Sequence, residues 1–239
     1  MLRFASFVLS VLLFALLSNA APFLAEKRAI DDNLFQSLKL MAQYASAAYC
    51  PDVYTAATTT IKCGSGNCPQ VESANASTTL EYSRTETLTD VTGFVATDPT
   101  NKLIVVSFRG SISLSNWLTN LDFALTDTAL CSGCLAHTGF WNSWQDASAA
   151  VLPALRLAKA QHPSYRIAVT GHSLGGAVAT LAAAAMRQLG YPVALYSFGA
   201  PRVGGPKLSS FISTQHGGNY RVTHWNDPVP RVPLVAMGG

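Results

Sequence analysis

The pentapeptide Gly171-His172-Ser173-Leu174-Gly175 joins an apolar run, RIAVT (166–170), to an Ala-rich stretch, LGGAVATLAAAAMRQLG (174–190), closed by Gly190. A serine with glycines two places before and after it suits a sharp strand-to-helix turn, where the backbones approach too closely for larger residues. Such a turn lifts the hydroxyl to the carboxyl edge of a sheet. It also puts the serine at a helix N-terminus, where backbone N–H groups can stabilise an oxyanion. The chemistry indicated is nucleophilic attack on a carbonyl. A Gly-rich turn that merely packs helix on sheet is the bland alternative; the strand before it and the helix after it favour the nucleophile.

A serine nucleophile on such a turn needs a carboxylate and a histidine, in chain order Ser, Asp/Glu, His. Asp227 is the only acidic residue after Ser173, and it lies beyond the apparent strand YRVTH (220–224) in the loop Asn226-Asp227-Pro228. An Asx-turn before proline would explain the same aspartate. The five histidines are His137, His162, His172, His216 and His224, and none follows Asp227. His172 adjoins the serine on a turn expected to point its ring elsewhere. His224 is the one substitute base close to the acid, although such a histidine is more often a packed structural residue.

Alternating strands and helices must carry these residues. VTGFVAT (91–97) and LIVVSF (103–108) read as strands about the turn DPTN, the second buried on both faces. RIAVT, VALYSF (193–198) and YRVTH read as further strands. Helices are expected over 31–49, 142–161, 174–190 and 206–214, with Pro153 kinking or restarting the second. Residues 51–90, rich in Thr, Ser, Asn and Gly, read as loop with short strands and hold a glycosylation sequon, Asn75-Ala76-Ser77. The alternation implies an α/β fold, a mostly parallel central sheet flanked by helices. No linker-like stretch divides it. Leu114, Trp117, Leu118 and Leu121 fall at i, i+3, i+4 and i+7, an apolar stripe on a helix too short to be stable alone.

Residues 1–20 carry Arg3, an apolar run and small residues Ser18 and Ala20, the pattern of a secretory signal peptide. Lys27-Arg28 could end a propeptide over 21–28, leaving 29–239 as one domain; a charged N-terminal stub fits equally well. Losing Arg3, Glu26, Lys27 and Arg28 brings the net charge of +3 close to neutral, so a nucleic-acid partner is not indicated. No second apolar run is long enough to span a bilayer. With 49% hydrophobic and 12% charged residues, the chain is not of disordered composition. In an oxidising destination, Cys63 with Cys68 and Cys131 with Cys134 can each close a small loop, and Cys50 is left over. The CxxC spacing at 131–134 is also that of redox or zinc motifs, but nothing completes a zinc site. Neither a metal nor an organic cofactor is indicated.

Five collinear blocks resemble the secreted fungal lipases of the class 3 α/β-hydrolase family: SFRGSISLSNWLTNLDF (107–123), CSGC with HTGF (131–140), YRIAVTGHSLGGAVATLAAA (165–184), YSFGAPRVG (196–204) and YRVTHWNDPVPRVP (220–233). The resemblance implies Ser173 as nucleophile and Asp227 as triad acid. It implies Ser111 and the Leu174 N–H as the oxyanion hole, beside Arg109 and Gly110. It makes 114–121 a lid that turns its apolar face to an oil surface, and so implies an extracellular triacylglycerol lipase whose partner is a lipid interface. Related feruloyl esterases carry a more polar segment there; an esterase of soluble esters and a non-catalytic lipid binder are the alternatives. The family pattern continues past 220–233 with a segment holding the triad histidine and a late cysteine that pairs with the one matching Cys50. The sequence therefore reads as C-terminally incomplete, and as a poorly active, less stable protein with part of its core uncovered.

Overall fold

The computed structural model describes residues 30–54, 59–82, 89–113 and 124–234. The signal-peptide and propeptide segments, and the stripe of Leu114, Trp117, Leu118 and Leu121, lie outside the described residues. The chain divides into two compact units, 1–35 and 36–239. The described part of the first opens helix α1 (Asp32–Ala47), where Asp31 Oδ1 accepts the N–H groups of Asn33 and Leu34 at 3.0 and 3.1 Å. These bonds satisfy amides that have no partner within the helix.

The second unit is built on a six-stranded sheet. Its strands are β1 (Ser77–Tyr82), β2 (Gly93–Asp98), β3 (Leu103–Phe108), β6 (Arg166–His172), β7 (Val193–Phe198) and β8 (Asn219–Val222), in that spatial order. β1, β2 and β3 pair antiparallel; β3, β6, β7 and β8 run parallel. β2 and β3 are buried along their whole length, which is why their sequences do not alternate in polarity. The turn between them is held by Asp98, which is fully buried. Its carboxylate accepts from Asn101 N and Nδ2 and, at 2.8 Å, from the Tyr44 hydroxyl on α1. A small second sheet, β4 (Leu125–Asp127) with β5 (Leu135–His137), was not expected from the sequence.

Side chains alternate across each strand, so the sheet buries two separate apolar layers. On one face Val95, Ile104, Val106, Ile167 and Val169 meet helices α3 (Thr138–Gln161) and α4 (Leu174–Gln188). On the other, Phe94, Ala96, Val105 and Ala168 meet α1, the short helix α2 (Pro69–Ser73) and the loop around Cys63 and Cys68. Helix α5 (Pro206–Thr214) packs Leu208 and Ile212 into the first layer. The second layer thins beyond β6. There β7 alternates buried with half-buried residues, and Tyr196 and Tyr220 stack at 4.8 Å.

Two expectations need correction. α3 runs unbroken through Pro153. The proline is solvent-exposed, as is Ala149 four residues before it, so water can reach the unbonded carbonyl while Val151, Leu155 and Ala158 hold the opposite stripe on the sheet. The last strand ends at Val222, so His224 belongs to a loop. The cysteine pairs Cys63–Cys68 and Cys131–Cys134 are disulfides, as expected for small closed loops, so neither pair offers thiolates to a metal. Cys50 is a buried thiol. The sequon asparagine, Asn75, is exposed on the turn between α2 and β1, with φ +53°.

Candidate active site

β6 carries the chain to the carboxyl edge of the sheet, and α4 begins one residue after Ser173. Between them Ser173 adopts φ +56°, ψ −127°, a conformation costly for a residue with a side chain. Several contacts hold it there. Its N–H donates to Phe198 O at 2.9 Å, and its carbonyl accepts from Gly176 N and Ala177 N. The flanking glycines are forced by packing. A Cβ on Gly171 would lie 2.3 Å from Gly175 O, and one on Gly175 would lie 2.2 Å from Phe108 O on β3. The turn is therefore wedged against the neighbouring strand with no room for a methyl group.

Ser173 is 2% exposed, and its Oγ makes no hydrogen bond among the described residues. Leu174, as the first residue of α4, presents an N–H with no intrahelical acceptor. On the next strand, β3 ends at Phe108, and Arg109, Gly110 and Ser111 follow it along the same edge. A Cβ on Gly110 would lie 2.5 Å from His172 O and 3.3 Å from Ser173 Cβ, so this loop rests directly on the elbow. Ser111 is half-buried, and the next residue, Ile112, is 80% exposed.

Asp227 follows β8, where its Oδ1 accepts Val229 N–H at 2.9 Å. Its Oδ2 lies against Gly199, the residue after β7: a Cβ on Gly199 would be 3.1 Å from that oxygen and 3.6 Å from His172 Nε2. Gly199 has φ +55°, a further reason for glycine. Ser173, the loop of Arg109, Gly110 and Ser111, and the Asp227 carboxylate thus come from three strand ends at one edge of the sheet.

The histidines divide differently from the sequence reading. His172 does not point away from the site. Its Nδ1 is 2.9 Å from the Tyr49 hydroxyl, and that hydroxyl accepts the Gly110 N–H at 3.1 Å. Burial pushes the His172 pKa below its ordinary value, and the Asp227 carboxylate opposes that shift. Burial raises the Tyr49 phenol, opposed by the Gly110 amide and Arg109. Tyr49 was missed from sequence: it is distant in the chain from both partners, and nothing local marks it. His224 is exposed, and its backbone carbonyl accepts Asp227 N–H. A cavity of about 880 Å³, lined by Leu103, Arg166, Ala194, Tyr196 and Tyr220 among others, opens at the opposite ends of the parallel strands. Its size does not make it the site, because the strained serine and the carboxylate lie at the other edge. Among the described residues no metal cluster forms beyond Cys63, Cys68 and Glu72, whose two thiols are a disulfide.

A strained serine between a β-strand and an α-helix, at the carboxyl edge of a mostly parallel sheet, defines an α/β-hydrolase. The comparisons with known proteins narrow this class. The family described as "Lipase (class 3)" matches residues 105–237, and its "Lipase 3 N-terminal region" matches 7–82. The secreted mono- and diacylglycerol lipase A of Penicillium camembertii is 42% identical over 235 residues, 98% of this chain and 76% of that protein. Secreted mono- and diacylglycerol lipase 1 of Fusarium solani is 45% identical over 202 residues, 84% of this chain and 60% of its own length. The crystal structure of a mono- and diacylglycerol lipase from Aspergillus oryzae superposes with a TM-score of 0.82 at 45% identity, covering 88% of this chain and 77% of that one. The chain belongs to the class 3 lipase family, and so to the serine hydrolases. Among the described residues no helix is long and apolar enough to cross a membrane.

Proposed function

We propose that this chain is an extracellular acylglycerol hydrolase with Ser173 as its nucleophile. The observation that carries the reading is the strained Ser173 backbone, wedged by Gly171 and Gly175 at the helix N-terminus. In the proposed cycle Ser173 Oγ bonds to the ester carbonyl carbon and its proton passes to a histidine base. The resulting oxyanion accepts hydrogen bonds from the Leu174 N–H and from Ser111. Collapse of the intermediate expels the glycerol oxygen, which takes the proton. Water then cleaves the acyl-serine and releases a fatty acid. Asp227 is the triad acid, and its position across Gly199 from the elbow supports that role.

The sequence suggested triacylglycerols; the relatives, named mono- and diacylglycerol lipases, favour partial glycerides as substrate. The apolar stripe of Leu114, Trp117, Leu118 and Leu121 is proposed as the lid that meets the lipid interface. A second reading is favoured by one observation: Ser173 Oγ has no hydrogen-bond partner among the described residues, so no described histidine activates it. On that reading the chain as given hydrolyses esters at a rate several orders of magnitude below that of a complete triad.

The test is labelling by an alkyl phosphonate, followed by hydrolysis assays on mono-, di- and trioleoylglycerol emulsions. The hydrolase reading expects a covalent adduct on Ser173, absent in Ser173→Ala, and faster release from the mono- and diacyl substrates. No adduct with either protein refutes it in favour of a non-catalytic lipid binder. A slow adduct without measurable turnover selects the second reading.

A further inference from the structure

The Tyr49 hydroxyl sits between two backbone segments that the proposed reaction must hold in register. Tyr49 lies two residues beyond α1, and neither neighbour on its oxygen comes from its own element. One is the Gly110 amide, in the loop that leads to Ser111. The other is the Nδ1 of His172, the residue before the nucleophile. The oxygen accepts from Gly110 N–H at 3.1 Å and lies 2.9 Å from His172 Nδ1, to which it can donate its one proton. With Nδ1 as the acceptor, the His172 proton would sit on Nε2, on the side of the ring that lies against Gly199 together with Asp227 Oδ2.

We propose that Tyr49 is a positioning residue: its hydroxyl ties the Gly110 amide to His172, fixing the spacing between oxyanion loop and nucleophile and setting His172 as the Nε2–H tautomer. The role in catalysis rests on the reading of Ser173 as nucleophile, while the tether itself does not. Gly110 reinforces it. A Cβ there would lie 2.3 Å from the Tyr49 oxygen and 2.5 Å from His172 O, so the three groups are packed with no slack. Tyr49 makes no hydrogen bond to Ser173 Oγ, so the proposed effect runs through the loop and the elbow.

The test is Tyr49→Phe, which keeps the ring and removes the oxygen. Histidine-selective ¹⁵N NMR on the wild-type chain should give His172 as the Nε2–H tautomer, with its Nδ1 resonance moving in Tyr49→Phe. Amide exchange at Gly110 should accelerate about tenfold or more in the variant, while amides of β2 and β3 keep their rates. Phosphonate labelling of Ser173 should slow by about tenfold, the rate equivalent of one lost hydrogen bond. A Nδ1–H tautomer in the wild type, or unchanged exchange at Gly110, overturns the tether. An unchanged labelling rate with altered exchange overturns the positioning role. If neither protein labels, the hydrolase reading fails and with it the role in catalysis; the NMR and exchange results still decide the tether.

Discussion

Gly175→Ala should cost this protein stability out of proportion to the one methyl group it adds. The new Cβ would lie 2.2 Å from Phe108 O, 2.7 Å from Phe108 C and 2.8 Å from Arg109 C. All three are backbone atoms of β3 and the loop after it, so no rotamer change can relieve the contact. Restoring even a 3.0 Å separation moves β3 and the start of α4 apart by about 0.8 Å. Overpacking of a close-packed core costs roughly 1–3 kcal/mol, and backbone against backbone belongs at the upper end, about 3 kcal/mol or more. Alanine's better helix propensity returns about 1 kcal/mol. The net loss is about 2–3 kcal/mol, which for a domain of this size lowers the melting temperature by about 5–10 °C. Gly139→Ala is the control. It lies in the first turn of α3 with nothing within 4 Å of the added Cβ, so it should be neutral or raise the midpoint by a degree or two, as estimated roughly from propensity. Circular dichroism melts of the three proteins decide the matter. A Gly175→Ala midpoint within about 2 °C of wild type, or an equal drop in Gly139→Ala, would refute the wedge argument.

Three further outcomes follow from the same geometry. His224→Ala should leave phosphonate labelling of Ser173 unchanged, because the side chain is exposed and Ser173 Oγ has no described partner; a large loss would instead make His224 the base. Tyr44→Phe leaves the fully buried Asp98 carboxylate without one of its donors and should destabilise by about 2 kcal/mol, read by urea unfolding; a change under about 0.5 kcal/mol contradicts the buried bond. His172 has a folded pKa depressed by burial, so the folded state binds its proton less readily than the unfolded chain. Its stabilising share is therefore complete above the ordinary pKa of about 6.5 and is lost as pH falls through the lower folded value. His172→Asn keeps an acceptor for Tyr49 without the titration, so between pH 7 and roughly pH 5 it should lose less stability than wild type; parallel losses would argue against the depressed pKa.

The elbow was legible because its signals are local. Two glycines, an unbroken apolar strand and an Ala-rich helix stand next to each other in the chain. The helices at 206–214 and the strand at 193–198 were legible for the same reason, each bounded by glycine or proline. What escaped depends on distant partners. Pro153 obeyed the packing of its helix rather than its own propensity. Asp98 looked like an ordinary turn residue, and only the fold brings Tyr44 over it. His172 was expected to turn away from the site, yet Tyr49 and the Asp227 side hold its ring at the elbow.

The parallel pairing of β3 with β6 also bears on how the protein folds. Val105 and Ala168 are register partners although about sixty residues separate them in sequence, whereas Ala96 and Val105 meet across a tight hairpin. The hairpin has little loop-closure entropy to overcome and can form early; the β3–β6 ladder must wait for the intervening helix to be placed. The close approach of Gly175 to β3 exists only once that ladder has formed, because the carbonyl it rests on is that of Phe108. Substitutions that crowd Gly175 should therefore speed unfolding more than they slow folding.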